Sequence, residues 1–274
     1  MLRRIILAAA VATTGALAGF ASPALAGTTP RVPAPAGSVF STEQAGYQVS
    51  HAGRSYRFIS ATFTLPDASQ YAANVGSFGL SVQGWGPAAV VVLGISTCAT
   101  DSCQTGGNPV TDPWNAAIAV YGTKSHALIT ADGASPAMAA GDSVTEALYY
   151  NTGTGNVQAK VTDNTTLAVF TAAYHAGLGQ GFKAVRAGLE TSAVSPWGAP
   201  AFTYAAPAAA VTVATLGQVA ITNTSGHRDT LADTAYASAA PVTWTRNGGP
   251  DGAVNAAASA PTADGRSFTI SLEP

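Results

Sequence analysis

Charge is scarce in this sequence: Asp, Glu, Lys and Arg together make up 9% of its residues. The basic residues are scattered singly and never gather into a run, which removes the electrostatic footprint that nucleic-acid binding requires. Cysteine is reduced to one pair, Cys98 and Cys103, and none of the histidines, His51, His126, His175 and His227, has another histidine two or four residues away. Neither set offers a zinc-site spacing, so no metal and no cofactor is expected. Long periodic stretches of Leu, Glu and Lys are missing too, and with them any convincing helix. Beyond the first 26 residues no stretch reaches the roughly 18 uncharged apolar residues that a spanning helix needs.

What is present begins with a leader. Met1-Leu2-Arg3-Arg4 is basic, an apolar run follows from Ile5 to Phe20, and Ala24-Leu25-Ala26 supplies the small residues of a cleavage site. This pattern reads as a secretory signal peptide over residues 1–26. The exported chain loses Arg3 and Arg4, leaving ten basic against 14 acidic residues, and is expected to be extracellular, soluble and monomeric. Residues 27–37 form a Pro-rich flexible leader, and residues 38–274 form one domain. In an exported chain the C-x4-C spacing of Cys98 and Cys103 reads as a local disulfide that holds a loop's shape.

Ala, Gly, Ser, Thr and Val dominate the rest, in short alternating segments. Strands are predicted at Tyr56 to Leu65, Ser77 to Gln83, Ala88 to Thr97, Asp112 to Tyr121, Ala127 to Thr130 and Ser143 to Tyr150. Further strands follow at Asn156 to Thr162, Thr166 to Tyr174, Phe182 to Thr191, Ala210 to Thr222, Val242 to Arg246 and Ser267 to Leu272. Short turns between strands, without helices, argue for an all-β, two-sheet antiparallel sandwich.

One strand stands out. In FKAVRAGLET, from Phe182 to Thr191, period-2 alternation puts Ala184, Arg186, Gly188 and Glu190 on one face and Val185, Ala187 and Leu189 on the other. Glu190 is one of only four glutamates, with Glu43, Glu146 and Glu273. The plain reading is an Arg186/Glu190 ion pair on a solvated face. The functional reading is a polar stripe with a gap at Gly188 where a ligand lies close to the backbone. Glycanases of the lectin type need two or more carboxylates on alternate positions, and neither Glu190, beside Gly188 and Arg186, nor Glu146, beside Val144 and Leu148, has them. Trp85, Trp114, Trp197 and Trp244 leave carbohydrate binding without cleavage open, each being read singly as a core residue.

From Glu43 to Thr224 the order of motifs resembles the glutamic peptidases, or eqolisins. The resemblance rests on Ala45-Gly46, Thr64-Leu65-Pro66, the apolar strand with Gly94, Asp112-x-Trp114, Gly141-Asp142, the strand closed by Glu190, and TLGQVAITN. It implies a jelly-roll sandwich of the concanavalin A-like lectin/glucanase type with a groove for an extended polymer, polypeptide or polysaccharide. It also implies that Glu190 acts as general base, with Asp112 as a supporting acid and Trp114 as an aromatic wall, while Arg186, on the face of Glu190, is read as a further substrate contact. The family's dyad glutamine falls on Val92 and a further family carboxylate on Ala116, so ordinary acid peptidase activity is not expected. The alternatives are an acid endopeptidase in which Gln83 supplies the amide, and a non-catalytic carbohydrate-binding module.

Overall fold

The computed structural model describes residues 33–67, 77–87, 89–98, 114–122, 126–130, 138–176, 178–190, 204–233 and 238–274. Strands run in chain order as β1 (Val39–Ser41), β2 (Gln44–Ser50), β3 (Tyr56–Thr64), β4 (Ser77–Trp85), β5 (Ala89–Cys98), β6 (Asn115–Gly122), β7 (His126–Thr130) and β8 (Ser143–Asn151). They continue as β9 (Asn156–Asp163), β10 (Val169–His175), β11 (Ala184–Glu190), β12 (Val211–Asn223), β13 (Arg228–Asp229), β14 (Ser238–Thr245), β15 (Val254–Ala258) and β16 (Phe268–Leu272). No helix occurs among the described residues.

Alternation decides which side of each strand is buried. On β8, Val144, Glu146, Leu148 and Tyr150 are buried while Thr145, Ala147 and Tyr149 lie further out. The strands join in the order β10-β9-β8-β3-β12-β16-β15-β14-β2-β11-β4-β5-β6-β7, with β13 beside β12 and β1 parallel to β14. This sheet curls on itself, so that β3 and β8 face β4, β5 and β11 across the interior, and the result is an antiparallel sandwich. Ile59, Leu80, Leu93, Ile95, Leu148, Val161 and Leu189 fill the space between the layers. Tyr56 and Phe182 exchange backbone hydrogen bonds at 2.7 and 2.8 Å, which ties the start of β3 to the segment entering β11.

β1, β2, β13 and β15 are additions to the strands read from sequence. Gln44-Ala-Gly-Tyr-Gln-Val-Ser50 does alternate, burying Ala45, Tyr47 and Val49, but its small and polar residues weaken the signal. Trp114 is 1% exposed, bridges Met138 and belongs to the hydrophobic core, so its indole packs inside the sandwich and not along a groove wall. Ala116 follows it into the core. Residues 1–32, Asp112, Trp197, Cys103 and the side chain of Cys98 lie outside the described residues, and with them the expected Cys98–Cys103 disulfide.

Candidate active site

Register assembles the site. β11 lies between β2 and β4, with Glu190 level with Gln44 and Gly79, Gly188 with Gly46 and Ser81, and Arg186 with Gln48 and Gln83. β5 extends these rows by placing Gly94 opposite Ser81 and Val92 opposite Gln83. On the face turned away from the core, a row of minimal side chains, Gly46, Gly188, Ser81 and Gly94, therefore crosses the strands between Glu190 on one side and Gln48, Arg186 and Gln83 on the other. Gly46 and Gly188 are obligatory. A Cβ on Gly188 would stand 2.2 Å from the Ala45 carbonyl oxygen, and one on Gly46 would stand 2.2 Å from that of Ala187.

With no side chain at Gly188, Glu190 leans along the strand over Ser81 to reach Gln83. Gln83 Nε2 donates to Glu190 Oε2 at 2.7 Å, Ser81 Oγ donates to the same oxygen at 3.2 Å, and Gln44 Nε2 donates to Oε1 at 3.2 Å. The amide of Gln83 is itself oriented. Its Oε1 accepts from Trp85 Nε1 at 3.2 Å and from Gln44 Nε2 at 3.4 Å, while its Nε2 also donates to Ser81 Oγ at 3.1 Å. These contacts fix which end of the amide faces the carboxylate. Val92, in the strand position where the resemblance places a glutamine, is directly opposite Gln83, so the amide stands one strand nearer Glu190.

Arg186 does not close an ion pair onto Glu190. Its guanidinium donates to Gln48 Oε1 at 2.6 Å and stacks over the Trp85 ring at 4.9 Å. Its charge still acts at a distance. Burial pushes Glu190 up to about 7, with Glu43 adding to the rise, while the hydrogen bonds from Gln44 and Ser81 and the charge of Arg186 oppose it. Burial in turn lowers Arg186 to about 10. Glu190 is 6% exposed and Gln83 2%, so both work largely away from bulk water.

Beneath this face lies a second carboxyl. Glu146 is fully buried among core side chains, and its oxygens make no hydrogen bond of normal geometry, although the backbone groups of Val82 and Ile95 lie near enough to hold its carboxyl down. Burial holds it well above the usual carboxylate range, and the charge of Glu190 pushes the same way. A neutral acid is the form such a site tolerates.

Of the residues singled out from sequence, Glu190, Gln83 and Arg186 share one face, and Trp114 does not join them. Ser81, Gln44 and Gln48 are additions to the residues read from sequence, and Trp85, read singly as a core residue, belongs beside Gln83. The alternation Ser81-Val-Gln-Gly-Trp85 carries a signal for Ser81 and Trp85, since it puts both on the face of Gln83. Gln44 and Gln48 became neighbours only through the pairing of β2 with β11.

No protein-family model and no curated protein matches this sequence. Solved structures do match. Scytalido-glutamic peptidase bound to a transition-state analogue inhibitor shares 13% identity at a TM-score of 0.56, over 84% of this chain and 98% of its own. SCP-B, a member of the eqolisin family in complex with the tripeptide Ala-Ile-His, matches over the same shares at a TM-score of 0.50 and 13% identity. At that identity the likeness establishes the sandwich fold of these peptidases and a distant structural relationship to them.

Proposed function

We propose that this protein hydrolyses peptide bonds in an extended polypeptide, with Glu190 as general base and Gln83 as the amide that holds the water and the developing oxyanion. The observation that carries this reading is the 2.7 Å contact of Gln83 Nε2 with Glu190 Oε2, in an amide already oriented by Trp85. The relationship to structures that hold a transition-state analogue or a tripeptide supports peptide as the substrate class.

In the reaction a water enters between Gln83 and Glu190. The Glu190 carboxylate takes its proton as the oxygen bonds to the peptide carbonyl carbon, and the Gln83 N–H groups stabilise the resulting oxyanion. The proton then passes to the leaving nitrogen as the C–N bond breaks, which restores the carboxylate. The row of Gly46, Gly188, Ser81 and Gly94 lets a backbone approach the sheet closely. Because the base must be ionised and its carboxyl is pushed up to about 7, activity belongs near neutrality, and ordinary acid peptidase activity is absent. Export, indicated by the leader-like residues 1–26, is part of the same reading.

A binding-only reading draws on the burial of both Glu190 and Gln83 and on Val92 in the usual amide position. Cleavage of an unfolded protein substrate between pH 3 and pH 9 separates the two. Activity that rises towards neutral pH and disappears in Glu190→Gln and Gln83→Leu supports the hydrolase; no cleavage at any pH, or cleavage that survives Glu190→Gln, overturns it.

A further inference from the structure

On the layer opposite Glu190, the hairpin of β12 and β13 and the residues after it gather three potential ligands. His227 Nε2 lies 3.4 Å from Asp229 Oδ1 and 3.4 Å from Asp233 Oδ2, and one ligand atom from each residue falls within 4.8 Å of the other two. The backbone presents them deliberately. Asn223 Oδ1 accepts from Ser225 Oγ and from the His227 backbone N–H, and the Asn223 N–H donates back to the His227 carbonyl. Pairing of β13 with β12, Asp229 opposite Ile221, then turns the Asp229 carboxylate inward.

The second observation is Asp229 itself. Its side chain is completely shielded from solvent, Oδ1 faces His227 Nε2 at the long distance of 3.4 Å, and neither carboxylate oxygen accepts a hydrogen bond of normal geometry. Buried carboxylates are ordinarily bonded or neutralised. Nearby, the buried Tyr56 hydroxyl has no hydrogen-bond partner either, and it feels the charge of Asp229. His227 serves Asp229 and Asp233 from one ring nitrogen, which holds a single proton to direct at one of them, and the carboxylates repel each other. The charges of Arg54 and His51 also act on Asp229.

We propose that His227, Asp229 and Asp233 bind a divalent transition-metal cation such as zinc. A cation in this position replaces the shared proton and satisfies the Asp229 carboxylate. Zinc bonds of about 2.0 to 2.1 Å to nitrogen and oxygen put tetrahedral ligands about 3.3 Å apart, close to both His227 separations. One imidazole with two carboxylates suits such an ion better than calcium, which takes six to eight oxygens. His227 and Asp233 remain partly exposed. The ion would tie the chain after β13 to the end of β12, and the site shares no residue with the Glu190 face.

The test is calorimetric titration of untagged full-length protein, stripped with chelator, with zinc chloride alone. The site predicts one saturable ion per chain, a melting temperature raised by zinc, and binding weakened more than about tenfold by either His227→Ala or Asp233→Asn. Both changes are at partly exposed positions, so the apo variants keep the fold, and His175→Ala serves as the control that leaves binding unchanged. Absence of saturable zinc binding at millimolar concentration overturns the proposal. So does binding that survives either substitution, or binding that His175→Ala removes.

Discussion

Glu190→Gln tests the electrostatics of the candidate site independently of any assay of catalysis. The Glu190 carboxyl rises from 4.5 to about 7 on folding, chiefly through burial. A raised acid favours the folded state fully below pH 4.5, where both states are protonated, and loses that advantage as pH rises through 7. Two and a half units correspond to about 3 kcal/mol. For a chain of this size the same change moves the melting temperature by about 6 to 12 °C. Glu190→Gln removes the titration. Its amide oxygen still accepts from Gln83 and Ser81, while Gln44 must turn its own amide to present an oxygen, a pH-independent cost of about 1 kcal/mol. Denaturant unfolding of both proteins at half-unit intervals from pH 4 to pH 8 should therefore give curves that diverge, the variant gaining about 3 kcal/mol on the wild type by pH 8. Glu146 also titrates and is coupled to Glu190, so the comparison is repeated with Glu146→Gln in both chains. Parallel curves would refute the argument, because they would mean that the Glu190 carboxyl titrates alike in the folded and unfolded states.

Other consequences follow from the same contacts. Gln83→Leu should lower kcat by about 100- to 1,000-fold with little change in KM, the signature of a donor used mainly in the transition state, measured by steady-state peptide cleavage. Arg186→Ala removes a charge that holds the Glu190 carboxyl down, so the rising limb of the pH–rate profile should move above pH 7; a limb that stays in place would show that Arg186 does not act on Glu190. Glu146→Leu replaces a buried carboxyl that makes no hydrogen bond of normal geometry with an apolar side chain, and should stabilise the protein by about 1 kcal/mol at pH 7 in urea unfolding. Gly188→Ala pushes a Cβ to 2.2 Å from the Ala45 carbonyl and should cost about 1 to 3 kcal/mol or more, read as a lower melting temperature.

The sequence determined the all-β class, because alternation is local and each strand carries its own record of it. Val185, Ala187 and Leu189 against Arg186, Gly188 and Glu190 is one such record, and the structure buries the first set in the core. The same reasoning found Glu190 and Arg186 on one face, and it placed Glu146 between Val144 and Leu148, the apolar setting that leaves its carboxyl neutral. Tertiary structure decided what these residues meet. Gln83 touches Glu190 because β4 pairs with β11 in a register that puts Ser81 level with Gly188, and Gln44 joins them because β2 pairs on the other side. Trp114 went to the core, on the side of the chain that also buries Ala116, Ile118 and Val120, and it bridges Met138 from a distant segment. His227, Asp229 and Asp233 looked unremarkable in a search for paired histidines, and a turn held by Asn223 brings them together. Which face a residue takes is set by its neighbours in the chain, whereas which residues share a row is set by strands far apart in sequence, whose register follows from closure of the whole sheet.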